Sequence, residues 1–416
     1  MELMTVENMD TELGSIPSDW VSCRFEDVMD GFSSGQTPYR EIKRYYSGDI
    51  PWITSGELNY NIIINTLEKI TPEAVQKTSL KIIPKGTFLM AITGLEAEGT
   101  RGSCAITGVD ATTNQSCMAL YPKAGLLTTE YLFHFYVRYG SFLAFKYCQG
   151  TKQQSYTGAI ARTLPIILPP TIEEQAAIAA ALSDADALIT SLEKLIAKKR
   201  LVKQGVLQDL LTPKNDWSKI IVGDIGNPYG GLTGKSKNDF GDGNAIYIPF
   251  MNIMSNPIID LKNLEQVRIK PGEYQNRVRK GDLLFNGSSE TPEEVGMCSV
   301  LMEEFENLYL NSFCFGFRLN SERQLNGLFL SYFFRSSFGR DIFFSLAQGA
   351  TRYNLSKSNF LKLEIDLPSV TEQNRIATTI NDIDNEIAVL EKKLAKQRLL
   401  KQGMMQNLLT GKIRLA

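Results

Sequence analysis

One segment of this chain occurs twice. "RLVKQGVLQDLLT" runs from Arg200 to Thr212, and "RLLKQGMMQNLLT" from Arg398 to Thr410. The match extends from Thr171–Lys214 to Ser369–Lys412 at a constant offset of 198, without gaps and with about half the positions identical. Each copy opens on a helix-start signal: Pro170–Thr171 with Glu174, and Pro368–Ser369 with Glu372. In such a capping box a hydroxyl and a carboxylate satisfy N–H groups that a helix start leaves unpaired. Each copy ends at a breaker, Pro213 or Gly411. Between them Ile178, Leu182, Ala185, Ile189, Leu192, Ile196, Val206 and Leu210 are matched by Ile376, Ile380, Ile383, Ile387, Leu390, Leu394, Met404 and Leu408. These steps make a heptad seam, interrupted at Lys199 and Lys203 and at Gln397 and Lys401. A helix of about 40 residues is roughly 60 Å long, too long to lie on one small domain. Equal seams in one chain predict that the two helices pack on each other, antiparallel and about a pseudo-twofold axis.

What lies between the helices is a second, fainter duplication. "SDWVSCRFEDV" resembles "NDWSKIIVGDI", "IPKGTFLMAI" resembles "VRKGDLLFNG", and "YCQGTKQQSYT" resembles "LAQGATRYNLS". Short β-rich runs punctuated by Gly, Pro and Asn dominate each block, with one aromatic helix apiece, "TEYLFHFYVRYGSFLAF" and "NGLFLSYFFRSSFGRDIFF". The expected fold class is α+β: globular blocks at 1–168 and 213–367, spacer helices at 169–212 and 368–416. Cys104 with Cys298 and Cys117 with Cys314 read as small core residues in equivalent strands. The six cysteines include no CxxC pair, which fits reduced thiols and a cytoplasmic location. No apolar run reaches membrane-span length, and the acidic start "MELMTVENMDTELGSIPSDW" lacks a signal peptide's basic head and apolar middle.

Catalytic chemistry finds little support. His134 is the only histidine and lies in the apolar run "YLFHFYV". One histidine removes HExxH metalloproteases and most His-bearing metal sites, and gives little support to a Ser-His-Asp triad. "GGLTGKS" (230–236) falls one residue short of a phosphate loop, because Tyr229 stands where the first glycine is needed. "NPYG" (227–230) lacks the second proline of an amino-methyltransferase tetrapeptide and reads as a turn. Glu173–Glu174 and Glu303–Glu304 read as capping or solvated acids. Elimination favours binding or scaffolding.

A net charge of −2 argues against nucleic-acid binding by bulk charge. Local features argue for it. "KLIAKKRLVK" (194–203), "KKLAKQRLLK" (392–401) and "KNLEQVRIKPGEYQNRVRK" (262–280) are basic. Both blocks place an amide- and hydroxyl-rich loop shortly before the final strand: Thr151, Lys152, Gln153, Gln154, Ser155 and Tyr156, then Thr351, Arg352, Tyr353, Asn354 and Ser356. Gln, Asn, Arg and Lys are the side chains that read base edges. The DNA-contact candidates are these loops' Lys152, Gln153, Gln154, Tyr156, Arg352, Tyr353 and Asn354, together with Gln36, Thr37, Lys43, Arg44, Lys235, Lys237, Arg277 and Arg279.

With "IPSDW", "LPPTIEEQAAIA", "LPSVTEQNRIA" and the two "KQG…LLT" tails in place, the chain resembles the DNA-specificity subunit of type I restriction-modification systems along its whole length. The resemblance implies two target recognition domains, each reading half of a split double-stranded DNA site. It implies spacer helices that hold two methyltransferase (modification) subunits, which motor-nuclease (restriction) subunits join. S-adenosylmethionine, ATP and magnesium would belong to those partners; this chain is expected to carry no cofactor or metal and no catalytic residue. The docking candidates are Lys203, Gln204, Gly205 and Leu210 with Lys401, Gln402, Gly403 and Leu408. Glycine inside a helix costs about 1 kcal/mol, so Gly205 and Gly403 mark either a close approach to a partner or a close approach of the two rods. Two readers on one face of a duplex favour half-sites about one turn apart, roughly 34–36 Å. The alternative classes are a coiled-coil scaffold without DNA specificity and a fused methyltransferase or nuclease, for which the motifs are missing.

Overall fold

The computed structural model describes residues 7–150, 154–349 and 352–415, without the Arg323 side chain. By internal packing it divides into two compact units. One runs up to Glu193 and resumes at Lys393; the other is Lys194–Lys392. Each unit thus holds one globular block, half of one repeated helix and half of the other.

The first block is built on a five-stranded sheet. Its strands are β1 (Met29–Ser34), β2 (Asn61–Ile63), β3 (Phe88–Ala91), β4 (Cys104–Thr107) and β5 (Cys117–Pro122), in the order β1-β5-β3-β4-β2. The central strand β3 reads FLMA and is buried along its whole length, the run expected of a strand covered on both faces. Helix α1 (Thr129–Tyr147) lies on the sheet, with Tyr136 edge-on to Phe88 at 5.5 Å between ring centroids. The chain then enters α2 (Ile172–Leu211), the first copy of the repeat.

The second block repeats this plan with β6 (Gly226–Gly230), β7 (Leu283–Asn286), β8 (Cys298–Val300) and β9 (Cys314–Leu319), in the order β6-β9-β7-β8. The register is the same: β5 sets Cys117 opposite Ala91 and Ala119 opposite Ser33, while β9 sets Cys314 opposite Asn286 and Gly316 opposite Tyr229. The paired cysteines therefore occupy equivalent buried strand positions, and all are free thiols. Two expectations change here. "NPYG" is not a turn but part of β6, where Pro228 is tolerated because the strand lies at the sheet edge. The aromatic helix is broken into α3 (Gly327–Arg335) and α4 (Ser337–Leu346), because Ser336 is extended and its hydroxyl caps the new helix by accepting from Gly339 N–H. The second copy of the repeat follows as α5 (Val370–Leu408).

The repeated helices are antiparallel. In the first unit Ile178 and Leu182, near the start of α2, share a core with Leu408 and Leu409 at the end of α5. In the second unit Leu211, at the end of α2, shares a core with Ile376 and Ile380 near the start of α5. The polar interruptions of the seam are ion pairs. Lys401 meets Asp186 and Arg398 meets Glu193 in the first unit. Lys199 meets Glu386, Lys203 meets Asp384 and Arg200 meets Glu391 in the second. Only half of each capping box forms. Thr171 and Ser369 accept from Glu174 N–H (3.2 Å) and Glu372 N–H (3.3 Å), but the carboxylates turn to Arg414 and Arg375. Glu174 is thus a buried ion-pair partner.

A second contact fixes each long helix to its block. Gln175 Oε1 accepts from the N–H of Thr128, the N-cap of α1, and Gln175 Nε2 donates to Leu126 O. Gln373 Oε1 accepts from the N–H of Asn326, the N-cap of α3. These glutamines stand 198 residues apart and are 2% and 1% exposed.

Candidate nucleic-acid interface and helix surface

Both blocks carry their candidate readers on loops that leave the sheets. After β1 and β6 the chain turns at Gly35 and Gly231. A Cβ there would lie 1.8 Å from Thr113 O and 2.0 Å from Asn311 O, so only glycine fits. Gln36 and Thr37 follow the first turn as exposed residues, with the Thr37 hydroxyl on the Gln115 side-chain carbonyl. Lys43 is exposed, and exposed Arg44 pairs with Glu73 at 2.9 Å. Neighbouring Arg40 is fixed: its guanidinium lies 4.5 Å and 4.9 Å from the ring centroids of Tyr46 and Trp52, and the Glu68 carboxylate takes its N–H groups.

The second turn contains the "GGLTGKS" run, and Lys235 is not available there. Its side chain is 4% exposed, held by Glu273 and Arg268 O. The surrounding Lys235, Lys270 N–H and Gln275 donors pull the Glu273 carboxyl down to about 2. Lys237 is exposed two residues on. Arg277 and Arg279 are exposed on the rim of a concavity lined also by Tyr229, Tyr274 and Arg318.

Of the paired polar loops, Thr151, Lys152, Gln153 and Thr351 lie outside the described residues. Gln154 is half-buried, its side-chain carbonyl accepting from Cys148 Sγ at 3.4 Å. Tyr156, a DNA-contact candidate from the sequence, is instead 3% exposed and part of the first block's core, where its ring meets apolar side chains rather than a ligand. In the second block, strand Tyr353–Leu355 pairs with Ser288–Ser289 and Ala347–Gln348. That small sheet exposes Arg352 and Asn354 and half-buries Tyr353. The Arg352 guanidinium lies 5.1 Å from the ring centroid of Phe313, itself 55% exposed, a cation–aromatic pair open to solvent. Both loops lead into short helices, Gly158–Thr163 and Lys357–Leu361, rather than directly into the final strands.

The docking candidates on the long helices divide sharply. Lys203 and Lys401 are engaged by Asp384 and Asp186. Leu408 is 5% exposed within the first block's core, and Leu210 is half-buried against the second. Gln204 and Gln402 are exposed. A Cβ on Gly205 or Gly403 would meet nothing within 4 Å, so neither glycine serves the packing of the two rods. Sequence reasoning missed what stands beside them. Leu201 and Val202, one turn before Gly205, and their counterparts Leu399 and Leu400, are exposed; Leu201 and Leu399 reach 69% each. The signal was there, because these residues fall outside the heptad seam yet stay apolar in both copies.

With this geometry in view, residues 17–201 and 214–397 each match the type I restriction modification DNA specificity domain, and the chain belongs to that family with two copies of it. A type I restriction enzyme MjaIX specificity subunit from Methanocaldococcus jannaschii is 36% identical over 192 residues, 45% of this chain but only 43% of that protein. The MjaVIII specificity subunit of the same organism is 24% identical over 417 residues, 96% of this chain and 94% of its own length. Among solved structures, the S subunit of a type I restriction-modification system from M. genitalium has the same fold, with a TM-score of 0.57 over 98% of both chains at 14% identity.

Proposed function

We propose that this chain is the non-catalytic, sequence-specific DNA-binding subunit of a type I restriction-modification complex. It reads a bipartite, asymmetric target and docks two methyltransferase subunits, which motor-nuclease subunits join, in the cytoplasm. The recognition domains are 1–168 and 213–367, and 169–212 and 368–416 are the spacers. One observation carries the reading: two blocks share strand order and register but present different exposed side chains at matched places. Two copies of one scaffold with unlike surfaces are what two unlike half-sites require. The rival, a coiled-coil scaffold without DNA specificity, has no use for that pattern and does not fit the family.

The DNA contacts we assign are Gln36, Thr37, Lys43, Arg44 and Gln154 in the first block, with Lys237, Arg277, Arg279, Arg352, Tyr353 and Asn354 in the second. The methyltransferase surface we assign is Leu201, Val202, Gln204 and Gly205, with Leu399, Leu400, Gln402 and Gly403. The same exposed apolar and glycine pattern twice in one chain suits two identical protomers. Single-molecule sequencing of DNA from cells expressing this chain with its methyltransferase tests the reading. The expected map has two unlike half-sites around an unread gap. A palindromic site, or no site-selective methylation, overturns it.

A further inference from the structure

The two blocks differ most informatively beneath the rim that carries Arg277 and Arg279. In the second block Asp282 is 1% exposed and receives four donors. Arg318 Nε reaches Oδ1 at 2.9 Å, while Arg318 Nη2 (2.7 Å), the Tyr229 hydroxyl (2.6 Å) and the Arg279 backbone N–H (2.9 Å) reach Oδ2. Arg318 Nη2 also donates to Arg277 O at 2.9 Å, and its guanidinium lies 5.0 Å from the Tyr229 ring centroid. The triad therefore grips the main chain on both sides of Val278. Val278 is 2% exposed and donates its own N–H to Leu308 O at 2.9 Å. Val278 is buried between exposed Arg277 and Arg279, so anchoring the main chain on both sides of Val278 holds the two arginines on the outer surface together.

The shared register and the sequence match leading into it identify the same six positions in the first block. Tyr229, Asp282 and Arg318 correspond to Ser33, Thr87 and Tyr121, a neutral set in which Ser33 Oγ and Tyr121 OH lie 3.0 Å apart. Val278 corresponds to buried Ile83, whose N–H donates to Ala111 O at 2.7 Å. Arg277 and Arg279 correspond to Ile82 and Pro84. Where the rim carries cations, the floor beneath is an ion pair between buried Asp282 and half-buried Arg318; where the rim is apolar, the floor is neutral. Such a pair is a poor source of net stability, because desolvating the carboxylate offsets much of the attraction. Its use here is positional.

We propose that Asp282, Arg318 and Tyr229 are positioning residues that hold Arg277 and Arg279 against DNA backbone phosphates. This clamp belongs to the second recognition domain alone. The proposal rests on the DNA-reading function above and deepens it: the second block takes a phosphate grip at a place where the first makes none. A phosphate is the fitting ligand, since two adjacent guanidiniums supply forked donors with no acceptor of their own.

The test uses the full chain reconstituted with its methyltransferase. The probe is a duplex carrying the two methylation-mapped half-sites, compared with duplexes in which either half is scrambled. The triple variant Tyr229→Ser, Asp282→Thr, Arg318→Tyr installs the set that the first block already accommodates. Its expected thermal midpoint stays within a few degrees of the parent's. Affinity for the intact duplex is expected to fall about tenfold, with discrimination at the first half-site unchanged. A folded triple variant that binds like the parent overturns the clamp. Should the triple variant not fold, the exposed pair Arg277→Gln, Arg279→Gln decides. Each lost phosphate contact lowers the slope of log K against log salt by about 0.9, so a fall of about 1.8 is expected and an unchanged slope overturns the proposal. A parent that discriminates neither half-site instead sinks the specificity reading itself.

Discussion

His134 shows how burial sets a residue's chemistry. Its ring is 1% exposed on α1, with Nε2 at 2.9 Å from the Ser183 hydroxyl of α2. Burial disfavours the charged imidazolium and lowers its pKa to about 4, with Lys401 also lowering it and Asp186 opposing. An unfolded histidine titrates near 6.5. Between those values the unfolded chain binds the proton and the folded chain does not, so stability falls with falling pH. The expected loss from this residue between pH 7.5 and 5 is about 2 kcal/mol, read from denaturant midpoints; His134→Gln should flatten that slope, and an equally steep slope in the variant refutes the assignment. Gly205 and Gly403 make the opposite case, residues set by the open space around them. Replacing either by Ala should raise stability by about 0.5–1 kcal/mol, checked by the same denaturation. Replacing both by Leu should leave the free chain folded, since nothing lies within 4 Å, but weaken co-purification of the methyltransferase. Undiminished co-purification places docking elsewhere.

At the scale of elements, the latch between each long helix and its block rests on one buried amide. Gln175→Ala would strand the Thr128 N–H and Leu126 O. Leaving a buried donor unpaired costs roughly 1–3 kcal/mol, so thermal melts should show a drop of that size for Gln175→Ala, and a parent-like melt would mean water replaces the amide. The same helices show what a single sequence reveals. Their existence, seam and direction were readable because heptad spacing and the exact offset are properties of the chain itself. The capping boxes were half-legible: the hydroxyls cap, but Glu174 is claimed by Arg414, some 240 residues away, and no local pattern announces so distant a partner. Candidate site residues failed for the same reason. Lys235, Lys203 and Lys401 read as free cations until their acids on other elements are known. Tyr156 read as a loop aromatic until the core closed around it. Conversely, Asp282 and Arg318 carried no motif, and only the matched strand registers bring them to notice.

For the whole molecule, α2 is the covalent route from the first block to the second and α5 packs against it, so under the proposed function the length of this helix pair is the quantity a split DNA site depends on. On the proposed function, the blocks would decide which bases are read and the helices how many lie unread between them. These two properties are then separable by mutation, which a single continuous recognition surface would not allow. Seven residues inserted into both α2 and α5, at matched seam positions, preserve the heptad phase and each helix's facing partner. The added rise is about 10 Å, close to three base pairs at 3.4 Å each. A methylation map of cells carrying the lengthened chain should therefore retain both half-sites letter for letter while the gap between them grows. An insertion of four residues breaks the phase and should abolish methylation rather than shift the gap. If the lengthened chain methylates with the original gap, the helices do not measure the site, and the spacing must be set by how the blocks engage the methyltransferase.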